Sequence, residues 1–213
     1  ESLIPRNSTD DVLAQIKQDA AEAAQYLPVS WPDKFRLPKS FVNGLQARAL
    51  FYNKSYEDAL SLASDIINSA VYALSPDTIN FTASNTEIFC GFEKGVNTEF
   101  NDFFSKGSFV PAMRYTEIIL IYVEALFNRN KTSDATEFFN GLRIRRKAPE
   151  VSTLTNEDIF NQWQKEMSKE GSTFITLKRF GKALEVVNND PKSLLLPVPM
   201  PVLINNPNLY QNA

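Results

Sequence analysis

Between Arg114 and Asn128 the chain is apolar around most of a helical circumference. At about 100° per residue, the polar side chains of this segment fall within one arc of about 80°. They are Arg114, Glu117, Glu124 and Asn128. A helix with so wide an apolar surface is typical of the interior of a helical bundle, where it has neighbours on several sides. The pattern therefore predicts that this segment is the central helix of an all-α domain.

The charged residues of this helix need partners, because an unpaired carboxylate near the interior is costly. Arg114 stands three residues before Glu117, so the two side chains are expected to meet on one helix face. For Glu124 the nearest cations lie on the next predicted helix, in the run 143–146. The candidate partners on later helices are Arg143, Arg145, Arg146, Lys178 and Arg179. We therefore predict structural ion pairs for Glu117 and Glu124, rather than a general acid and base pair.

Apolar residues recur at helical spacing on both sides of the central segment. They predict helices over residues 9–26, 40–52, 55–69, 133–147, 155–170 and 174–187. The expected N-terminal capping residues are Thr9, Ser55 with Asp58, and Thr155 with Asp158. Gly171 is the expected stop of the fifth of these helices, and Gly181 is a weak point in the sixth.

Two stretches break the helical pattern. Residues 75–111 lack a sustained helical period and hold seven of the sixteen phenylalanines. Within them Glu87–Phe92 is predicted to form a short strand, and the rest a long loop, which inside a compact domain is functional or poorly ordered. The last 23 residues hold five prolines, so residues 189–213 are predicted to run as an irregular strap and not as another helix. The whole chain, 1–213, is predicted to be one domain.

An internal repeat relates two of the predicted helix pairs. A shift of 76 residues places the run 49–51 on the identical run 125–127, and Asp58-Ala59 on Asp134-Ala135. The unit is a helix, a short polar turn and a second helix, which is the plan of a tetratricopeptide repeat. Chance similarity between two amphipathic helix pairs is the alternative. Either way, the pattern predicts antiparallel helix pairs packed as a bundle or superhelix.

Composition and charge then exclude several kinds of function. The net charge of −3 lacks the basic excess of a nucleic-acid surface. The chain has no histidine, which removes histidine-based triads and most zinc sites, and its one cysteine permits no intramolecular disulfide. No apolar run is long enough to cross a membrane. No phosphate loop, nucleophile elbow or calcium loop is present, so we predict no catalytic residues, metal or cofactor.

Four blocks match a known set of motifs in order and spacing. They are Leu45–Leu74; Arg114–Glu117 with Glu124–Leu126 and Asn140-x-x-Arg143-x-Arg145; Glu170–Gly171 with Leu177–Gly181; and Leu196–Pro199 with Asn206–Asn212. With these blocks the chain resembles the SusD/RagB family, the outer-membrane nutrient-binding lipoproteins of Bacteroidetes. The resemblance implies a tetratricopeptide-like, all-α, non-enzymatic protein that captures glycans or similar nutrients. It also implies a cell-surface location, a lipid anchor absent from this chain, and a SusC-like TonB-dependent transporter as partner.

The chain also departs from the family pattern. Residues 172–176 lack the usual arginine and aspartate of the third block, and Trp163 and Val202 replace an arginine and a glutamate. The stretch between Phe89 and Arg114, where typical members carry a long insertion, is short here. Much of the family's glycan surface is built from such loops. A second hypothesis is therefore a tetratricopeptide-like protein-interaction module whose helix-pair grooves bind a transporter or peptide and hold no sugar.

Sugar binding needs exposed aromatic faces bordered by planar polar side chains. The candidate ligand-binding residues of this type are Trp31, Phe35, Phe92, Asn97, Asn101, Asp102, Phe103 and Phe104. The alternative for these phenylalanines is that they seal the loop against the helices. Trp163 lies one helical turn from both Ile159 and Met167, so it is predicted to belong to the core.

Overall fold

The computed structural model describes residues 5–76, 81–93, 107–195 and 197–211. Its helices are α1 Thr9–Tyr26, α2 Lys39–Tyr52, α3 Tyr56–Asn68, α4 Tyr115–Asn128, α5 Thr132–Arg145, α6 Asn156–Met167, α7 Thr173–Arg179, α8 Ala183–Val186 and α9 Met200–Asn205. The remaining elements are a 3-10 turn, Pro191–Leu194, and two strands, β1 Ile88–Glu93 and β2 Phe109–Arg114. Helices dominate the fold, which confirms the predicted all-α class with antiparallel helix pairs.

Helix α4 is the centre of the molecule, as its apolar circumference predicts. It packs against α2, α3, α5 and α6, and eleven of its fourteen residues are buried. Ile118, Leu120 and Ile121 have no exposed surface. The helix begins one residue later than expected, because Arg114 has an extended backbone and is the last residue of β2.

The structure confirms the repeat. Shifting the bounds of α2 and α3 by 76 residues reproduces those of α4 and α5 to within one residue. Each pair turns through a residue with a left-handed backbone, Lys54 (φ 63°) in the first and Asn130 (φ 59°) in the second. The next amide donates to the carbonyl five residues earlier, at 2.9 Å and 3.0 Å respectively. This is the Schellman arrangement that ends a helix, so the two turns are the same turn.

The stretch predicted as a long loop contains more strand than expected. Strand β1 matches the predicted strand to within one residue, but β2, which pairs with it antiparallel, was not predicted. Pro111 conceals β2 in the sequence, because proline lacks the N–H that a strand interior needs. Here Pro111 lies opposite Gly91, next to a register shift in the pairing.

Gly91 is required by this close approach of the strands. A Cβ atom at position 91 would overlap the carbonyl oxygen of Val110 and would lie 2.5 Å from the Phe109 ring. We expect Gly91→Ala to lower the free energy of unfolding by about 1–3 kcal/mol through overpacking. Urea denaturation measures the change. Gly141→Ala in α5 is the control, because a Cβ there meets nothing within 4 Å and alanine favours a helix. Equal stabilities of the two variants would contradict the prediction.

The N-terminal caps agree with the sequence in part. Thr155 and Asp158 form the predicted capping box, in which each side chain accepts from the other residue's amide, at 3.1 Å and 3.0 Å. The first helix is capped by Ser8 and not by Thr9. Ser55 caps α3 by position only, because its ψ of 64° departs from the extended backbone of the other two caps and its hydroxyl makes no capping bond. The predicted box with Asp58 is therefore wrong.

The C-terminal third corrects three expectations. Helix α6 ends at Met167, before the predicted stop at Gly171. The predicted helix over 174–187 is two short helices, α7 and α8, separated at Gly181, whose φ of 71° cannot continue a helix. The strap contains α9, so the expectation that no helix forms there is wrong for six residues. The strap also contains the 3-10 turn Pro191–Leu194, and the Gln211 amide bonds the main chain of Val198 at 2.7 Å and 3.1 Å.

Candidate functional site

A buried network of charges surrounds Arg114, whose side chain has no exposed surface. Its guanidinium donates to Glu87 and Glu170, each at 2.9 Å, and lies 3.7 Å from the Glu166 carboxylate. The predicted pair of Arg114 with Glu117 is wrong. Because Arg114 is extended and precedes α4, its side chain does not share a helix face with Glu117.

The basic run 143–146, which follows the central helix, contributes Arg146 to the same network. Arg146 forms ion pairs with Glu87 at 2.8 Å and with Glu166 at 3.1 Å, and donates to the Thr116 hydroxyl at 2.9 Å. The prediction that this run neutralises Glu124 is wrong. Arg143 and Arg145 instead donate to main-chain carbonyls, those of Pro149 and Leu74.

The two carboxylates of the central helix are each held by a bidentate arginine. Arg48 contacts Glu117 at 2.6 Å and 2.7 Å, and Arg179 contacts Glu124 at 2.7 Å and 3.0 Å. Burial raises the pKa of the Glu124 carboxyl, and Arg179 opposes that shift. The prediction that Glu117 and Glu124 are members of structural ion pairs is confirmed, and Arg179 was among the predicted partners.

Arg179 is also enclosed by aromatic rings. Its guanidinium carbon lies 4.8 Å from the Trp163 ring centroid and 4.9 Å from that of Phe51, with Tyr52 and Phe180 at 5.6 Å and 5.2 Å. Such cation–π contacts are strongest where water is excluded. Trp163 is 1% exposed, so its predicted place in the core is confirmed.

Three of the predicted ligand-binding aromatic residues lie in the described part of the chain. Phe35 and Phe92 are 56% and 47% exposed. They are on neighbouring segments, because the Gly91 amide donates to the Lys34 carbonyl at 2.8 Å. The Phe35 ring meets the buried Phe109 ring edge-on at 5.8 Å. The loop 28–38 and strand β1 thus carry two exposed phenylalanine residues on neighbouring segments.

Trp31 belongs to the same loop but is less available. The Arg36 guanidinium covers one face of its ring at 4.0 Å, and its indole N–H donates to the Leu37 carbonyl at 3.0 Å. Asp33 accepts from Arg36 and holds it in place. The Arg36 bond lowers the pKa of the Asp33 carboxyl. Asp33 and Arg36 were not predicted as site residues, although their spacing of three could have indicated them.

The five remaining predicted site residues lie outside the described residues. They are Asn97, Asn101, Asp102, Phe103 and Phe104. The described residues on either side of this segment are close together, since Glu93 pairs with Phe109 in the sheet, and the buried Phe109 ring contacts Phe35. We give the name aromatic surface to the region that the loop 28–38 and the end of β1 carry, with Trp31, Asp33, Phe35, Arg36 and Phe92.

Other features bear on chemistry and location. Burial raises the pKa of the Cys90 thiol to about 11, and the residue is 1% exposed. Within the described ranges, no three histidine, cysteine or acidic side chains are arranged to hold a metal ion. Among the same residues, no helix combines the length and apolar character that crossing a membrane requires.

Comparison with known proteins gives a consistent result. A model of the SusD family matches residues 17–194. A SusD-like protein from Bacteroides fragilis superposes with a TM-score of 0.82 at 16% identity, over all of this chain and 72% of its own. Surface glycan-binding protein A from Bacteroides thetaiotaomicron, in complex with laminarihexaose, gives 0.76 at 16% identity, over 98% and 72% of the two chains. Another similar structure is a laminarin-binding SusD-like protein, with a TM-score of 0.78 at 16% identity over 95% and 68%. No curated protein sequence matches the chain.

Proposed function

The chain belongs to the SusD family, and we propose on that premise that it is a non-enzymatic carbohydrate-binding protein. Two proteins of similar fold, at 16% identity, are described as binding laminarin or laminarihexaose. The observation that carries the proposal within this chain is the pair of exposed phenylalanines, Phe35 and Phe92, on neighbouring segments. A β-glucan of the laminarin type is therefore the first ligand to test.

The aromatic surface has the two components that sugar binding uses. Phenyl rings pack against the apolar face of a pyranose, and planar charged groups bond its hydroxyls. Phe35 and Phe92 supply the rings. Asp33 and Arg36 flank Phe35 in the loop, and 38% of the Asp33 side chain and 52% of the Arg36 side chain are exposed. Affinity then rests on stacking and hydrogen bonds, with no bond made or broken.

The state of the interior carboxylates supports a binding protein over a hydrolase. A glycosidase needs two carboxyl groups facing the scissile bond. Glu117 and Glu124 are instead 5% and 4% exposed and are each bonded by a bidentate arginine. Both carboxylates are therefore used in structural ion pairs.

The family also supports proposals about location and partner. We propose a lipid-anchored cell-surface protein of the outer membrane, with a SusC-like TonB-dependent transporter as its partner. In this arrangement the aromatic surface captures the glycan, and the transporter carries it inward.

Calorimetry tests the binding proposal. We expect laminarihexaose, or another member of an oligosaccharide panel, to release heat with the full chain. Phe35→Ala and Phe92→Ala should each weaken that affinity about tenfold, since each removes a stacking face worth roughly 1.4 kcal/mol. Both residues are exposed, so neither change should unfold the protein.

The matched control is Phe174→Ala in α7, which removes a phenylalanine of 36% exposure from a different segment. It should leave the affinity unchanged. No heat with any glycan of the panel would contradict a direct role in sugar binding. Full affinity in a Phe35→Ala, Phe92→Ala double variant would contradict the aromatic surface as the site.

A further inference from the structure

A second surface of the molecule, between α4 and α5, has no part in the proposed sugar site. It is a groove of about 550 Å³. Its floor is apolar and is formed by Leu74, Tyr115, Ile119, Phe138 and Leu142. The volume lies within the range of ordinary ligand sites, which are also mainly apolar.

The wall of the groove contains a gap in the side chains of α5. Gly141 lines it, and a Cβ built at this position meets nothing within 4 Å. Glycine in the middle of a helix costs about 1 kcal/mol relative to alanine, and packing among the described residues does not require it. The bare helix backbone lets an occupant approach α5 closely.

The rim of the groove is acidic and partly apolar. Glu137 and Glu150 line it, and neither forms an ion pair among the described residues. Ile144, also on the rim, is 58% exposed. The Arg145 guanidinium donates to the carbonyl of Leu74 at 2.7 Å, so one cation also lies at the groove, against the two carboxylates of the rim. Two exposed carboxylates beside an apolar floor are complementary to a cationic, apolar occupant.

We propose that this groove binds a segment of a partner protein that carries aliphatic side chains together with lysine or arginine. The aliphatic side chains cover the floor beside Gly141, and the cations meet Glu137 and Glu150. A sugar fits less well, because the neutral amide that lines the groove is already used. Both ends of the Asn140 amide bond the main chain of Val151, at 2.9 Å each.

The probe is a fluorescein-labelled amphipathic peptide of leucine and lysine, titrated with the full chain and followed by fluorescence anisotropy. Peptides in which glutamate replaces lysine, or serine replaces leucine, test charge and apolar content separately. We expect the leucine–lysine peptide to bind at least about tenfold more tightly than either.

Variants of the groove locate the binding. Gly141→Trp fills the open space and should weaken binding at least about tenfold, whereas Gly141→Ala should not. Glu137→Lys and Glu150→Lys should each weaken it about fivefold at low salt. Glu22→Lys, an equal change of charge on the exposed face of α1, should leave it unchanged. Circular dichroism verifies that each variant is folded.

Three results would overturn the proposal. The first is full peptide affinity in Gly141→Trp, and the second is equal binding of the serine–lysine peptide, which would show attraction by charge alone. The third is displacement of the peptide by laminarihexaose, which would make the groove a sugar site. This experiment measures the anisotropy of the peptide, whereas the sugar proposal is tested by calorimetry. A negative result for the groove therefore does not affect the test of the aromatic surface.

Discussion

Replacing Arg114 by methionine is expected to lower the free energy of unfolding by about 3–5 kcal/mol, because the change leaves buried carboxylates without their cation. Glu87 and Glu166 have no exposed side-chain surface, and Glu170 has 10%. Arg146 neutralises only part of this charge. Methionine fills a similar volume, so the loss reports the charge and not a cavity.

Urea denaturation followed by circular dichroism measures this loss. The control is Arg129→Met, which removes an exposed ion pair with Glu57 of 52% and 68% side-chain exposure and should cost at most about 1 kcal/mol. If Arg114→Met does not fold, Glu170→Gln keeps a neutral acceptor beside Arg114 and gives a smaller, measurable loss. Equal costs for the buried and exposed pairs would show that the network does not stabilise the fold.

The second large effect is expected at Arg179. Arg179→Met should lower the free energy of unfolding by about 3 kcal/mol, since it leaves the buried Glu124 unpaired and removes the cation from the aromatic enclosure. Adding Glu124→Gln removes the stranded charge, so the double variant should be more stable than the single Arg179 variant by about 2 kcal/mol.

A double-mutant cycle separates this coupling from the loss of packing. The pair Lys182 and Glu157, with 33% and 59% side-chain exposure, is the matched exposed cycle and should couple by less than about 1 kcal/mol. A coupling of that small size between Arg179 and Glu124 would mean that the carboxylate is not held by the arginine.

Local pattern predicted the helices of this protein well and their long-range pairing poorly. The apolar circumference of the segment 114–128 is a property of fifteen consecutive residues, so it could be recognised in the sequence. The carboxylates around Arg114 lie 27, 52 and 56 positions away. Spacing along one helix indicated Glu117 instead, because it describes only neighbours on a helix.

The aromatic surface shows a similar limit. Residue type alone indicated Phe35 and Phe92 as candidates for stacking, but the local sequence around each does not indicate that the two lie on neighbouring segments. The bond from the Gly91 amide to the Lys34 carbonyl, which brings the two segments together, forms only in the folded chain. Strand β2 was missed for a related reason, since a strand containing Pro111 becomes recognisable only beside its partner.

The network around Arg114 also determines how far this molecule can be divided. Repeat proteins often tolerate the loss of a terminal unit, because each unit contacts only its neighbours. Here the carboxylates that complete the centre come from residues 87, 166 and 170, so any fragment that ends before Glu166 buries a cation with two of its three counter-charges missing. The helix pairs follow one another along the chain as repeated units, but they share one interior and therefore cannot be separated.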